Sequence, residues 1–316
     1  MRSRNVESRQ LGAWLFAGMT APVALFAGGM SWQTVAIISV SCLTICWLVN
    51  KSAFRMPKWL CLAEMVWLIV VLTAFGRWIT GSWPSGNVYP AVPLTLLVLG
   101  AICASRGDET AGRAGSIVFW LMALIYGAVV AAGLGDMKVA ELLVFDGGLD
   151  PRLVAVMLLP CLAAFVKRNG RDLPFGSLVA VGAWTIIVSA LVTGGLSLRV
   201  SMNAEKPLHK WLEGLSILGT LQRFESLVSV ALTMGWFAVV SFVLCVGGAL
   251  SSNIKEGSFP RGVWGMSIAA GIITTQNVVI TTEMVLFGSV LMWVIMPMLT
   301  VLFGRNKKFE ISKNNA

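Results

Sequence analysis

Two short stretches of the chain combine residue types that could hold a small polar molecule inside an otherwise apolar protein. The first is Phe145-Asp146-Gly147-Gly148-Leu149-Asp150-Pro151, which interrupts an apolar run over about residues 137–166. The glycine pair lets the backbone open and bare its polar groups, and a carboxylate beside it can meet a cation or the amino group of a ligand. Asp146 has no structural duty on offer and suits that role. Asp150, followed by Pro151, suits either a ligand contact or a helix start, where aspartate caps free N–H groups and proline takes the first position. The second stretch is Gly18-Met19-Thr20-Ala21-Pro22, in the middle of the first apolar run. Proline withholds an N–H and clashes with the preceding turn, so the helix is expected to kink or open near residues 18–22. The Thr20 hydroxyl lies beside that point, either facing a ligand or bonding back to its own helix.

Glu64 stands inside the third apolar run. A charge at the bilayer centre costs on the order of 2.5–3.5 kcal/mol on insertion scales, so Glu64 is expected to face a cavity, a partner or an ion pathway, or else to reach the interface or sit protonated. No nucleophile–base pair, phosphate loop or catalytically spaced carboxylate pair is visible. The single histidine, His209, and the six cysteines show no metal-ligand spacing. The expectation is therefore a protein that is not an enzyme and holds no metal or cofactor.

The elements that must carry these residues follow from composition. Of the 316 residues, 57% are hydrophobic and only 12% charged, with a mean hydropathy of +0.80. A soluble domain needs more polar surface than this, and apolar runs long enough to cross a bilayer recur along the whole length. The chain reads as an all-α polytopic membrane protein with ten spans, near 11–29, 33–50, 57–76, 88–104, 114–135, 137–166, 174–196, 226–250, 262–282 and 286–304. The longest piece between spans, about 197–225, has the apolar spacing of an amphipathic helix on the membrane surface.

The net charge of +9 does not point to nucleic acid, because the basic residues are scattered in short clusters between spans. Of the 24 Lys and Arg residues, only Arg77, Lys138, Arg152, Arg199, Lys206, Lys210 and Arg223 fall on one side of the expected topology. The rest mark the cytoplasmic face, which then holds both termini and a tail over 305–316. Two full crossings in place of the sixth span would invert every later loop and destroy that bias, so one broken span is favoured. Ten spans also divide into five and five, over about 9–135 and 137–304. An odd-numbered repeat must recur inverted, an arrangement in which the first helix of each repeat is discontinuous and the ligand lies between the breaks. The broken helices would be the first and the sixth.

Four further stretches carry a resemblance. ESRQLGAWLFA near the start, RGDETAGR after the fourth span, LLPCL in the sixth and LGTLQRFESLVSVALTMGWF opening the eighth together resemble the B subunits of GerA-type spore germinant receptors. These belong to the amino acid–polyamine–organocation superfamily, with a LeuT-like fold. The resemblance covers essentially the whole chain. Its most specific pieces are Gly107-x-Glu109-x-x-x-Arg113 and Gln222-Arg223-Phe224-Glu225, whose charges read as structural helix-end pairs. It implies a protein of the endospore inner membrane that works beside A-type and C-type subunits and membrane lipid. It further implies binding of a nutrient, typically an amino acid, at the two breaks, and signalling of germination. The ligand site so implied comprises Gly18, Thr20, Ala21, Pro22, Phe145, Asp146, Gly147 and Gly148. Thr233 and Trp236 of the eighth span join it, because that helix packs against the broken pair in this fold; packing is the plainer reading of Trp236. The chain departs from the family at Ala21-Pro22-Val23, where a Gly-x-Gly pattern is usual, and at Gly148-Leu149-Asp150-Pro151, where Pro-Phe-Gly-Glu is. A different ligand, an amino-acid permease, and a scaffold subunit with a vestigial pocket therefore stay open.

Overall fold

Glycines set how closely the most buried helices approach. A computed structural model describes residues 8–51, 56–82, 91–135, 137–145, 148–166, 175–204, 206–215, 224–276 and 278–301, and all regular structure among them is helical. The helices are α1 (Ser8–Ala27), α2 (Trp32–Lys51), α3 (Lys58–Ser82), α4 (Ala91–Ser105) and α5 (Asp108–Gly135). A 3-10 turn (Val139–Leu143) precedes α6 (Pro151–Met157), and another (Leu159–Leu162) leads to α7 (Ala163–Val166). Then come α8 (Phe175–Leu196), α9 (Leu198–Asn203), α10 (Pro207–Gly214), α11 (Phe224–Ile254), α12 (Phe259–Thr275) and α13 (Thr282–Val290), the last continued by a π-helical turn, Leu291–Ile295.

Among the described residues, seven helices are long and apolar enough to cross a membrane, coinciding with expected spans one, two, three, five, seven, eight and ten. The fourth and sixth are represented by the shorter apolar helices Ala91–Ser105 and Pro151–Phe165, and the ninth by the 17 residues of α12. The lengths come from uninterrupted runs of Leu, Val, Ile and Ala, and the outward faces stay apolar. Trp120 and Leu124 of α5, for example, are 72% and 76% exposed, as suits a surface solvated by lipid.

α1 is the central element, packed on α11, α5 and α8. Without a hydrophobic drive between helices in lipid, close van der Waals fit and small residues hold such pairs together. A Cβ on Gly18 would lie 3.1 Å from the backbone of Val239, and one on Gly115 would clash with the base of the Trp14 side chain. The Trp14 indole donates to the Ala238 carbonyl at 3.0 Å, tying α1 to α11.

The expected opening of helix 1 is absent. α1 runs unbroken through residues 18–22 with Pro22 inside it. Proline still leaves the Gly18 carbonyl without its helical donor, at a local cost of roughly 3 kcal/mol. The contacts on three sides of α1 hold the helix continuous against it. The sixth span is interrupted as expected, though unevenly: its first part is a single 3-10 turn, and regular helix begins only at Pro151. The Leu142 carbonyl at the end of that turn accepts from both Trp32 Nε1 and Gln33 Nε2, each at 2.8 Å, so the start of α2 anchors it.

Within the 197–225 piece, the described helix α10 does not lie free on the surface, and residues 216–223 lie outside the described residues. α10 turns Leu208, Trp211 and Leu212 inward. Trp211 fills a notch where Gly133 of α5 and Gly195 of α8 have no side chains: a Cβ at Gly195 would stand 2.3 Å from the Trp211 indole nitrogen.

Candidate ligand cavity

A cavity of about 760 Å³ opens at the end of the bundle where α1 and α3 finish and α6 begins. Its floor is aromatic and its rim is charged. Phe26, in the last turn of α1, meets Trp78 of α3 edge-on at 5.3 Å between ring centroids. Trp78 also meets Phe75 at 5.5 Å, and Phe75 meets Trp236 of α11 at the same distance, so a ladder of rings descends from the cavity into the core. Above Phe26 lies the Arg152 guanidinium, 4.8 Å from the ring centroid. Such a cation–π contact contributes about 0.5–1 kcal/mol at an exposed site.

Asp150 positions Arg152. Its carboxylate accepts the Arg152 backbone N–H at 2.8 Å as the N-cap of α6, and it holds the guanidinium through Nε at 3.0 Å and Nη2 at 2.8 Å. Pro151 occupies the first helical position. Capping is therefore what this aspartate does, and its negative charge is matched by Arg152. Arg77, half-buried on α3 and lining the same cavity, has no hydrogen-bond or ion-pair partner among the described residues. Lys206 and His209, from the start of α10, complete the polar side together with Thr282 at the start of α13. The lining thus offers more cationic than anionic groups over an apolar floor, which suits a small molecule bearing a carboxylate and an apolar or aromatic body.

Of the residues singled out in the sequence, Gly148 lines this cavity along with Leu149 and Asp150. Asp146 and Gly147 lie outside the described residues. Phe145 is 62% exposed and does not line it. Gly18, Thr20, Ala21 and Pro22 are buried in the packed middle of α1, about a turn below the cavity floor at Leu25 and Phe26. The Thr20 hydroxyl donates to the Ala17 carbonyl at 2.7 Å and touches the Met122 sulfur at 3.6 Å. The Thr233 hydroxyl donates to the Ser229 carbonyl at 2.8 Å. Both threonines bond back along their helices, the commonest fate of a hydroxyl without water. Trp236 is fully buried at the foot of the aromatic ladder, its indole N–H without an acceptor among the described residues. Glu64 lies fully enclosed between α3 and the π turn after α13, away from the cavity.

Arg77, Phe26, Trp78 and Arg152 were not singled out by sequence reasoning. They come from three elements and form no motif. The available signal was Arg77 itself, a lone cation directly after the apolar run of the third span.

No protein-family model matches the sequence, and no curated protein matches it. Solved structures do. The chain superposes on Mhp1, a nucleobase-cation-symport-1 family transporter in a closed conformation with bromovinylhydantoin bound. The TM-score is 0.63 at 12% identity, over 94% of this chain and 78% of that one. It also superposes on MhsT in complex with L-phenylalanine, with a TM-score of 0.59 at 13% identity, over 95% of this chain and 89% of that one. At such identities the likeness concerns architecture, and with the apolar helices it makes the chain an integral membrane protein of all-α, LeuT-like transporter fold.

Proposed function

We propose that the protein is the membrane-embedded B-type subunit of a spore germinant receptor, binding a small carboxylate-bearing nutrient of the amino-acid class in the cavity between α1, α3, α6 and α10. The observation that carries the binding reading is the Arg77 guanidinium, without a partner among the described residues, facing an aromatic-floored cavity of about 760 Å³. A guanidinium fork matches a carboxylate in shape and charge, and the Phe26–Trp78 pair accepts an apolar side chain. The germinant-receptor role is supported by the resemblance in RGDETAGR and LGTLQRFESLVSVALTMGWF, which brings with it A-type and C-type partner subunits and the endospore inner membrane; the bias of Lys and Arg supports cytoplasmic termini. In this reading the nutrient shifts the population of helix packings that the partners sense. The gap in the sixth span forms one wall of the site, so the interrupted helix keeps its part in ligand binding while the unbroken α1 contributes its last turn.

A second reading, an amino-acid permease, is favoured by the transporter fold. The two are separated on the purified chain in proteoliposomes. Calorimetric binding of an amino acid without ion-driven uptake of the labelled compound is expected for a receptor. Uptake would overturn the receptor reading in favour of the permease, and absence of binding by every amino acid tested would leave a scaffold with a vestigial pocket.

A further inference from the structure

The cavity makes no use of Glu64, the one carboxyl enclosed within the described bundle with 0% exposure. Its Oε1 accepts the indole N–H of Trp293 at 2.8 Å. Its Oε2 is enclosed with no hydrogen-bond partner among the described residues. One indole cannot satisfy a carboxylate, whose two oxygens offer about four acceptor positions; in the acid form one oxygen becomes an O–H and the other a carbonyl acceptor. No counter-charge is at hand among the described residues. Of the helices packed on α3, α4 carries no charged residue, and α12 brings Arg261, which is exposed and makes no ion pair with it. α13 has Glu283 in its first turn, and the described side chains of α11 are uncharged. On α3 itself the titratable neighbour is the Cys61 thiol, one turn back.

Two features of the surrounding seam are independent of that carboxyl. Trp293 belongs to the π-helical turn Leu291–Ile295, a wider turn that re-aims the side chains after it and recurs at functional positions. Trp67, three residues beyond Glu64 and so on the same face of α3, has a second enclosed indole N–H with no acceptor among the described residues. Its ring lies against α13 where Gly288 has no side chain: a Cβ there would be 2.1 Å from the ring. A buried acceptor and a buried donor thus share one seam without bonding to each other.

We propose that Glu64 is an exchangeable proton-binding site whose occupancy is read by the α3–α13 seam. With the proton on Oε2, the carbonyl oxygen Oε1 accepts from Trp293, as in this structure. When the proton leaves to water at the membrane face, no other covalent bond changes, and the carboxylate gains a second donor as the Trp67 indole swings to Oε2. That swing lifts the Trp67 ring off Gly288, and the π turn supplies the slack for α13 to follow. The proposal does not depend on what the cavity binds.

Infrared difference spectra of the full chain in lipid vesicles, taken between acid and alkaline sodium-free buffers, test it. A carboxylic C=O band is expected to disappear as pH rises, to be missing in Glu64→Gln, and to move to the frequency of a less hydrogen-bonded acid in Trp293→Phe. Trp67→Phe, which removes the donor awaiting the carboxylate, keeps the band but moves its loss to higher pH. Circular dichroism confirms that each variant remains helical; should Glu64→Gln not fold, the Trp293→Phe frequency shift makes the assignment. The proposal is overturned if wild type and Glu64→Gln give the same spectra, or if the Glu64 band persists at every pH at which the chain stays folded. It is equally overturned if sodium at constant pH removes the band, which would mark a metal-cation site.

Discussion

Gly235 of α11 and Ala21 of α1 meet so closely that a Cβ on the glycine would stand 2.6 Å from the alanine Cβ and 3.2 Å from the Ala17 carbonyl oxygen. This contact lies one residue from Pro22, where the helix was expected to kink or open. It closes the middle of the α1–α11 pair and leaves the end of the bundle, one turn further along, as the place with room for a ligand.

Gly235→Ala should therefore overpack the pair. Neither the Ala21 Cβ nor the Ala17 carbonyl can rotate away, so a loss of about 1–3 kcal/mol is expected, read as a lower unfolding temperature in detergent. Adding Ala21→Gly removes the closest clash and should restore part of the loss, since contacting sites are coupled. A double variant no more stable than Gly235→Ala would contradict the packing described.

Asp150→Ala should unfasten the start of α6. Loss of an N-cap costs about 0.5–2 kcal/mol, and it would show as faster hydrogen exchange in the amides after Pro151. Asp150→Asn keeps the cap and gives up the ion pair to Arg152, whose side chain is 44% exposed. Such a pair is worth about 0–1 kcal/mol, so exchange in α6 should change little. Equal acceleration in both variants would show that the ion pair, not the cap, secures the helix.

The helices and the interruption before Pro151 were legible in the sequence because both are local. Uninterrupted apolar runs set the lengths, and Asp150-Pro151 is itself a start signal. Pro22 misled because its penalty of roughly 3 kcal/mol is also local, whereas what outweighs it is tertiary: Gly18 against Val239, Gly235 against Ala21, and Trp14 bonded to Ala238. The cavity was illegible for a related reason. Phe26, Arg77 and Arg152 are far apart in the chain, and no spacing rule joins them. The amphipathic period of α10 was visible, but whether its apolar face would meet lipid or protein depended on the notch at Gly133 and Gly195.

The packing of α2 on the second half of the sixth span can be checked chemically. The sulfurs of Cys46 on α2 and Cys161 in the 3-10 turn Leu159–Leu162 lie 3.0 Å apart. An apolar oxidant should join them, giving a linked peptide pair by mass spectrometry that is lost in Cys46→Ser and in Cys161→Ser. Cross-linking of Cys42 to Cys161 in preference would place α2 a turn away from its described register.

Arg77→Gln tests the ligand chemistry. A hydrogen bond to a charged group contributes about 1.5–3 kcal/mol, so titration calorimetry should show an amino acid bound roughly 10- to 100-fold more weakly. Arg77→Lys should recover only part, because an ammonium keeps the charge but not the two-pronged geometry. The decisive comparison is with the ligand: an amino-acid amide, which lacks the carboxylate, should bind wild type weakly and be nearly indifferent to Arg77→Gln. Thr233→Ala, whose hydroxyl bonds to its own helix at Ser229, should leave both affinities unchanged. If Thr233→Ala weakens binding while Arg77→Gln does not, the ligand sits in the middle of the bundle beside α1, and the helix closed by Gly235 and Ala21 must open to admit it.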